Sequence, residues 1–304
     1  MIAFVLSGGG NRGPLQVGAL DVLLSRGIRP DLVVGTSAGA INAAYLAAYG
    51  PEADMADLAA RWRSVRRDLV YPGNMLTIAL RVLMGADSLF PNYGMRQLIE
   101  DHLPPGVRTF GDLTLPCYIT TVDLRTSRLV LFGEDPTAPL VEAVLASASV
   151  PGIHPPVPYH GMQLVDGGVV AATPAGVAID KGATVIYAIN VGYGGEPREP
   201  VRGLLAILKR TLDTFIVQSL LDDLDRAAAD PNVELHHIHI TAFRDVPFND
   251  FSHVDAMVEA GREAAEAYLA NPTPYTRPEV TEATPLGAPG VREYVPSWRR
   301  PPVG

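Results

Sequence analysis

The pentapeptide Gly35-Thr36-Ser37-Ala38-Gly39 stands directly between the apolar run Leu32-Val33-Val34 and the alanine-rich stretch Ala40-Ile41-Asn42-Ala43-Ala44-Tyr45-Leu46. A serine flanked at two residues by glycines, where a strand gives way to a helix, is the signature of a nucleophile elbow. The turn is so tight that larger residues at the flanks would clash, and it holds the hydroxyl exposed above the sheet edge. The helix behind it aims its N-terminal amides at the point where negative charge would develop. The motif predicts a strand–turn–helix in an α/β sheet and the chemistry of a serine hydrolase.

The flanking sequence agrees with such a sheet. Apolar runs predict strands over residues 2–6, 32–34, 117–122, 128–132, 184–190 and 233–240. Helical spacing, such as Leu15, Ala19, Val22 and Leu23 ahead of Gly27, predicts helices over 15–26, 139–148, 201–229 and 253–269. Strand, helix and strand within about 35 residues make a parallel crossover unit. The alternation predicts an α/β fold of three layers, a mostly parallel central sheet with helices on both faces. Residues 51–105 interrupt the rhythm as a helical insertion, which either packs against the sheet or caps an apolar groove with Leu76, Ile78, Leu80, Val82, Leu83, Met84, Leu89 and Phe90. In 201–229, Leu204, Leu208, Leu212, Ile216, Leu220 and Leu224 form one stripe, the ordinary mark of a core-facing helix and otherwise that of an interfacial lipid-docking helix. Residues 271–304 carry eight of the chain's 27 prolines and read as an irregular tail behind a single unit, 1–270.

Composition narrows the partners. With 304 residues, 47% of them hydrophobic and 19% charged, the chain can bury a substantial core. A net charge of −9 argues against a nucleic-acid partner and against strong attraction to anionic membranes. One cysteine, Cys117, allows no internal disulfide and reads as a buried thiol. No stretch reaches the roughly 18–20 apolar residues of a membrane span, and the apolar start stops after Leu6 without a basic leader, so the expectation is a cytoplasmic protein.

Gly8-Gly9-Gly10-Asn11-Arg12-Gly13 follows the first strand and opens a helix. A dinucleotide site would need an acid at the end of the second strand, but that strand ends in Gly35-Thr36-Ser37 and Asp31 precedes it. The loop reads better as a row of unshielded amides beside Ser37, an oxyanion hole. Arg12 is placed to hold the loop or to meet a lipid phosphate. Ser37 also needs a base. His102, His154, His160, His236, His237, His239 and His253 all lack the setting of a triad histidine, a glycine-rich loop after a strand. Asp166, after the strand-like Gln163-Leu164-Val165 and before Gly167-Gly168, is either an Asp-Gly hairpin turn or that base.

The three motifs in this order and spacing, with Gln16-Val17-Gly18-Ala19-Leu20, Ile28-Arg29-Pro30-Asp31 and Ala146-Ser147-Ala148-Ser149-Val150-Pro151-Gly152 in support, resemble the patatin-like phospholipase family over about residues 1–270. The resemblance implies a Ser37–Asp166 dyad without histidine or metal, no cofactor, a glycine-loop oxyanion hole, and hydrolysis of lipid acyl esters with at most transient contact at a membrane surface. A general carboxylesterase or thioesterase on small acyl groups, and a low-turnover regulatory protein, are the alternatives. Family members often carry an asparagine before the x-Pro step that follows the aspartate; here Ala172 stands there, which predicts a looser loop.

Overall fold

Eight strands form one sheet in the computed structural model, which describes residues 1–195 and 198–278. The strands are β1 (Ile2–Leu6), β2 (Leu32–Gly35), β3 (Cys117–Asp123), β4 (Arg128–Phe132), β5 (Val157–Tyr159), β6 (Met162–Asp166), β7 (Val185–Asn190) and β8 (Glu234–His239). Their order is β5-β6-β3-β2-β1-β7-β8, with β4 pairing β3. The run from β3 to β8 is parallel, whereas β4 and β6 lie antiparallel to β3. Because β2 and β3 lie on one side of β1 and β7 and β8 on the other, the connections reverse direction at β1. A crevice opens at the carboxyl ends of strands at such a point.

Both faces of the sheet are covered, as the unbroken apolar strands require. On one face Phe4, Leu6, Val33, Tyr187 and Ile189 pack in the larger core with α1 (Gly13–Ser25), α2 (Ala38–Tyr49), α7 (Leu140–Ser147) and α10 (Val254–Ala270). On the other, Ala3, Val5, Leu32, Val34, Ile186 and Ala188 meet α8 (Ala175–Asp180) and α9 (Leu204–Ala229). The expected three layers are present. Two elements had no sequence signal: β5, three residues with a central proline, and α8, six residues begun by Pro174. Cys117 is buried in β3.

Part of the insertion packs against the core and part stands away from it. It contains α3 (Met55–Ser64), α4 (Arg67–Val70), α5 (Met75–Leu83) and α6 (Tyr93–His102). Leu58, Trp62, Leu98 and Ile99 of α3 and α6 join the core, but α5 buries no residue at all. The stripe on α9 is likewise split. Leu220 and Leu224 are core residues, while Leu204 and Leu208 stand in solvent, so the core-facing expectation holds only for the helix's second half. Of the proline-rich tail, Tyr275 and Arg277 are anchored on α9 through Asp225, and residues 279–304 lie outside the described residues. Among the described residues no helix is long and apolar enough to cross a membrane.

Candidate active site

Parallel pairing of β1 with β2 puts Leu6 opposite Gly35, so the glycine loop and the elbow leave the sheet side by side. A Cβ at Gly8 would lie 3.4 Å from that of Ser37. Ser37 itself has φ 57° and ψ −122°, a strained conformation for a residue with a side chain. Its surroundings hold it there. The Ser37 amide donates to Ser147 Oγ at 2.9 Å. The Thr36 hydroxyl donates to the Ala171 carbonyl at 2.8 Å, leaving Thr120 to donate to Thr36 Oγ1 at 2.6 Å. Glycine is demanded at position 39, where a Cβ would fall 2.2 Å from the Leu6 carbonyl oxygen.

β6 enters from the other side. Asp166 pairs with Thr121 on β3, one residue from the Thr120 that touches the elbow, and its amide donates to the Ser149 carbonyl at 2.9 Å. The Gly168 amide donates to Asp166 Oδ1 at 2.7 Å, fixing the carboxylate. Burial raises this carboxyl to about 6, against the smaller lowering effect of hydrogen bonds from the Ser37 hydroxyl and the Gly168 amide. Ser37 and Asp166 are thus adjacent and both buried.

Around Ala172, where an asparagine side chain is lacking, backbone carbonyls bond the neighbouring elements. Ala171 accepts from Thr36, Ala172 from the Gly8 amide at 3.0 Å, and Val170 from Ser219 on α9. This uses up the Gly8 amide. The amides of Arg12 and Gly13 are also engaged, with the carbonyls of Gly9 and Gly10. Among the described residues the loop amides without an acceptor are those of Gly9, Gly10 and Asn11, so the six-residue loop offers three donors. The side chain of Asn11 is spent on the carbonyls of Pro247 and Asp250, at 2.9 and 2.7 Å. Arg12 Nε braces the Gly9 carbonyl at 3.3 Å, and its Nη1 is buried with no partner among the described residues. Burial holds its guanidinium below the usual range; Tyr193 opposes that shift and Arg244 adds to it.

Sequence reasoning missed the polar chain beneath this loop. Gln16 donates to the Ser7 carbonyl at 2.8 Å, Asn42 to Gln16 at 2.9 Å, and Trp62 to Asn42 at 2.9 Å, all buried. The recurrence of polar residues on otherwise apolar helices, Gln16 on α1 and Asn42 on α2, was the available signal. The histidines bond elsewhere: His102 to the Leu98 carbonyl, His154 to that of Val70, and His239 to that of Gly192.

Two cavities meet at Ser37. The larger, about 440 Å³, runs from Gly9, Asp166 and Tyr193 along Leu212, Ile216 and Leu220 of α9. The smaller, about 50 Å³, lies among Ile41, Trp62, Tyr71, Leu98 and Phe251. Among the described residues no three His, Cys, Asp or Glu side chains are grouped to hold a metal ion.

Residues 4–179 match the family described as patatin-like phospholipase. Patatin-like phospholipase domain-containing protein 7 of Rattus norvegicus is 34% identical over 197 residues, which is 64% of this chain and 14% of that protein. An uncharacterized NTE family protein of Mycobacterium bovis is 31% identical over 290 residues, 88% of this chain and 46% of that one. The chain therefore spans less than half the length of either relative. The crystal structure of VipD from Legionella pneumophila aligns with a TM-score of 0.47 and 15% identity, over 88% of this chain and 66% of that one. With more than half of its residues matching the family, and its glycine loop, elbow and Asp166 turn all inside the matched region, this chain belongs to the patatin-like phospholipase family.

Proposed function

We propose that the chain hydrolyses acyl esters of lipids, with Ser37 as nucleophile and Asp166 as base. The observation that carries this reading is the buried Asp166 carboxyl against the Ser37 hydroxyl, raised to about 6. An exposed aspartate, near 3.9, is too weak a base at neutral pH, and burial moves this one toward the useful range. Ser37 Oγ bonds to the carbonyl carbon as its proton passes to Asp166. The carbonyl oxygen becomes an oxyanion in reach of the Gly9, Gly10 and Asn11 amides, donors that need no reorganisation at the moment of reaction. Collapse expels the alcohol, which takes the proton from Asp166 and leaves an acyl-serine. Water then attacks that ester, giving its proton to Asp166, and the acid leaves as Ser37 regains its hydrogen.

The working unit is residues 1–270, acting in the cytoplasm and touching membranes only peripherally. A second reading, an esterase for short acyl groups, is favoured by the small size of the cavity among Trp62, Tyr71 and Leu98. Product analysis after incubating the full chain with mixed phospholipids, lysophospholipids and glycerides, alongside a chain-length series of p-nitrophenyl esters, separates the two. Fatty-acid release that vanishes in Ser37→Ala is expected, as is labelling of Ser37 by a fluorophosphonate. A folded chain that is neither labelled nor active belongs to the regulatory class instead.

A further inference from the structure

The stripe on α9 passes from the site to the outside of the molecule. Leu212, Ile216 and Leu220 line the larger cavity, and the same row of the helix continues outward through Leu208 and Leu204. Exposure climbs along it, from 2% at Leu220 to 57% at Leu208 and 73% at Leu204. Ile207 and Phe215 stand exposed beside it. A row that packed only the core would not leave its leucines in water at one end.

A second apolar element belongs to a segment rooted beside the same cavity. Met75, Leu76, Leu80, Val82, Leu83 and Met84, on α5 and the residue after it, are all exposed, Leu83 to 84%. The helix is nonetheless well formed, opened by Asn74 and Thr77 in a capping box. Its single charge, Arg81, is turned back onto Ser88. The chain before and after α5 reaches the cavity wall. Before it, Tyr71 packs edge-on against Phe248, which lines the cavity, with ring centres 5.1 Å apart. After it, Leu89 and Phe90 bond the carbonyls of Gly152 and Ile153, next to the cavity residues Val150 and Pro151.

Charge selects what these two elements meet. Residues 61–84 and 198–215 together hold nine of the chain's 24 lysines and arginines but only three of its 33 acids. Five of these cations are paired within the chain: Arg61 with Asp57, Arg63 with Asp255, Arg66 with Asp68, and Arg198 and Lys209 with Asp213. Arg67, beside Asp68, and Arg202 are both exposed. The net charge of −9 therefore sits elsewhere, and the segments that carry α5 and the start of α9 are both apolar and basic.

We infer that α5 and the first half of α9 form the face on which this protein docks to an anionic lipid surface, with the cavity mouth between them and the α9 stripe as the track from that surface to Ser37. Apolar helix faces that are flanked by arginine and lysine gain from acyl burial and from anionic headgroups together. The inference rests on the hydrolase reading for what travels along the track, but the docking itself is independent of turnover.

Flotation of the full chain with vesicles tests it. Wild type and Ser37→Ala should float with vesicles of phosphatidylcholine mixed with phosphatidylglycerol, and much less with phosphatidylcholine alone. The pairs Leu80→Glu with Leu83→Glu, and Leu204→Glu with Leu208→Glu, should each weaken vesicle binding about tenfold or more. These residues lie outside the cavity, so hydrolysis of soluble p-nitrophenyl acetate should be unchanged, which also reports folding. Wild type that ignores both vesicles overturns the inference, as do glutamate pairs that bind like wild type. A dimer in size-exclusion chromatography that either pair dissolves would assign the face to a second copy and overturn it too. If Ser37→Ala keeps its esterase activity, the hydrolase reading falls while flotation still decides the docking.

Discussion

At the scale of single residues, the mechanism proposed above depends on how burial tunes one carboxyl. Asp166 must be ionised to accept a proton, and it titrates near 6 because it is buried. Below that pH it is protonated, so kcat/KM should fall on an acid limb with an apparent pKa of about 6, measurable with a neutral soluble ester. The same shift has a stability consequence of definite sign. The folded state holds this proton more tightly than the unfolded chain, whose carboxyl titrates near 3.9. Asp166 therefore opposes folding increasingly as pH rises from about 4 to 6, and its cost is complete above that. Asp166→Asn removes the cost and the proposed base together. We expect activity to fall by a factor of about 10³ or more, with a Tm at pH 8 no lower than that of wild type. Full activity in the folded variant would remove Asp166 from the mechanism. The turns at Ser37 and Asp166 were both legible in the chain, because glycines two residues to either side of Ser37 and two glycines directly after Asp166 each follow an apolar run and mark a forced turn. The engagement of the Gly8 amide was not legible, since its acceptor, Ala172, is met only through folding.

Among elements, α1 and α10 make a close crossing. A Cβ at Gly18 would fall 1.9 Å from the Val258 carbonyl oxygen, and one at Gly261 would fall 2.0 Å from that of Leu15. The two helices meet backbone to backbone, and neither contact can be relieved by turning a side chain. Gly18→Ala and Gly261→Ala should each destabilise the protein by about 1–3 kcal/mol or more, the usual cost of overpacking. Denaturant unfolding measures this, and a change below about 0.5 kcal/mol would mean that the helices part at no cost. α1 also carries the glycine loop at its start, so activity should drop along with stability. Helical spacing in the sequence announced both helices. It did not announce that they touch, because glycine in a helix is equally compatible with an exposed position. For α5 and α9 the periodicity was read correctly as helix, yet which part of each stripe faces water depends on what packs opposite.

For the whole molecule, residues 271–278 close the α9 side of the fold. Arg277 pairs with Asp225 at 2.6 Å and Asp222 at 3.5 Å, and Tyr275 packs against His237. A chain ending at residue 270 should melt about 3–6 °C below one ending at 278, with soluble ester hydrolysis retained by both. Equal melting temperatures would confine the stable unit to residues 1–270, the boundary the proline content suggests.

By itself the sequence determined the kinds of element and the three motifs, because hydrophobic period, glycine and proline act over a few neighbouring residues. It settled the elbow, the parallel β-α units and the helical character of the insertion. Tertiary structure alone decided which amides remain unpaired, how far one carboxyl is drawn out of water, and which apolar faces stay uncovered. Those are properties of contacts between segments far apart in the chain, and they exist only once the sheet has brought β1, β2 and β6 together.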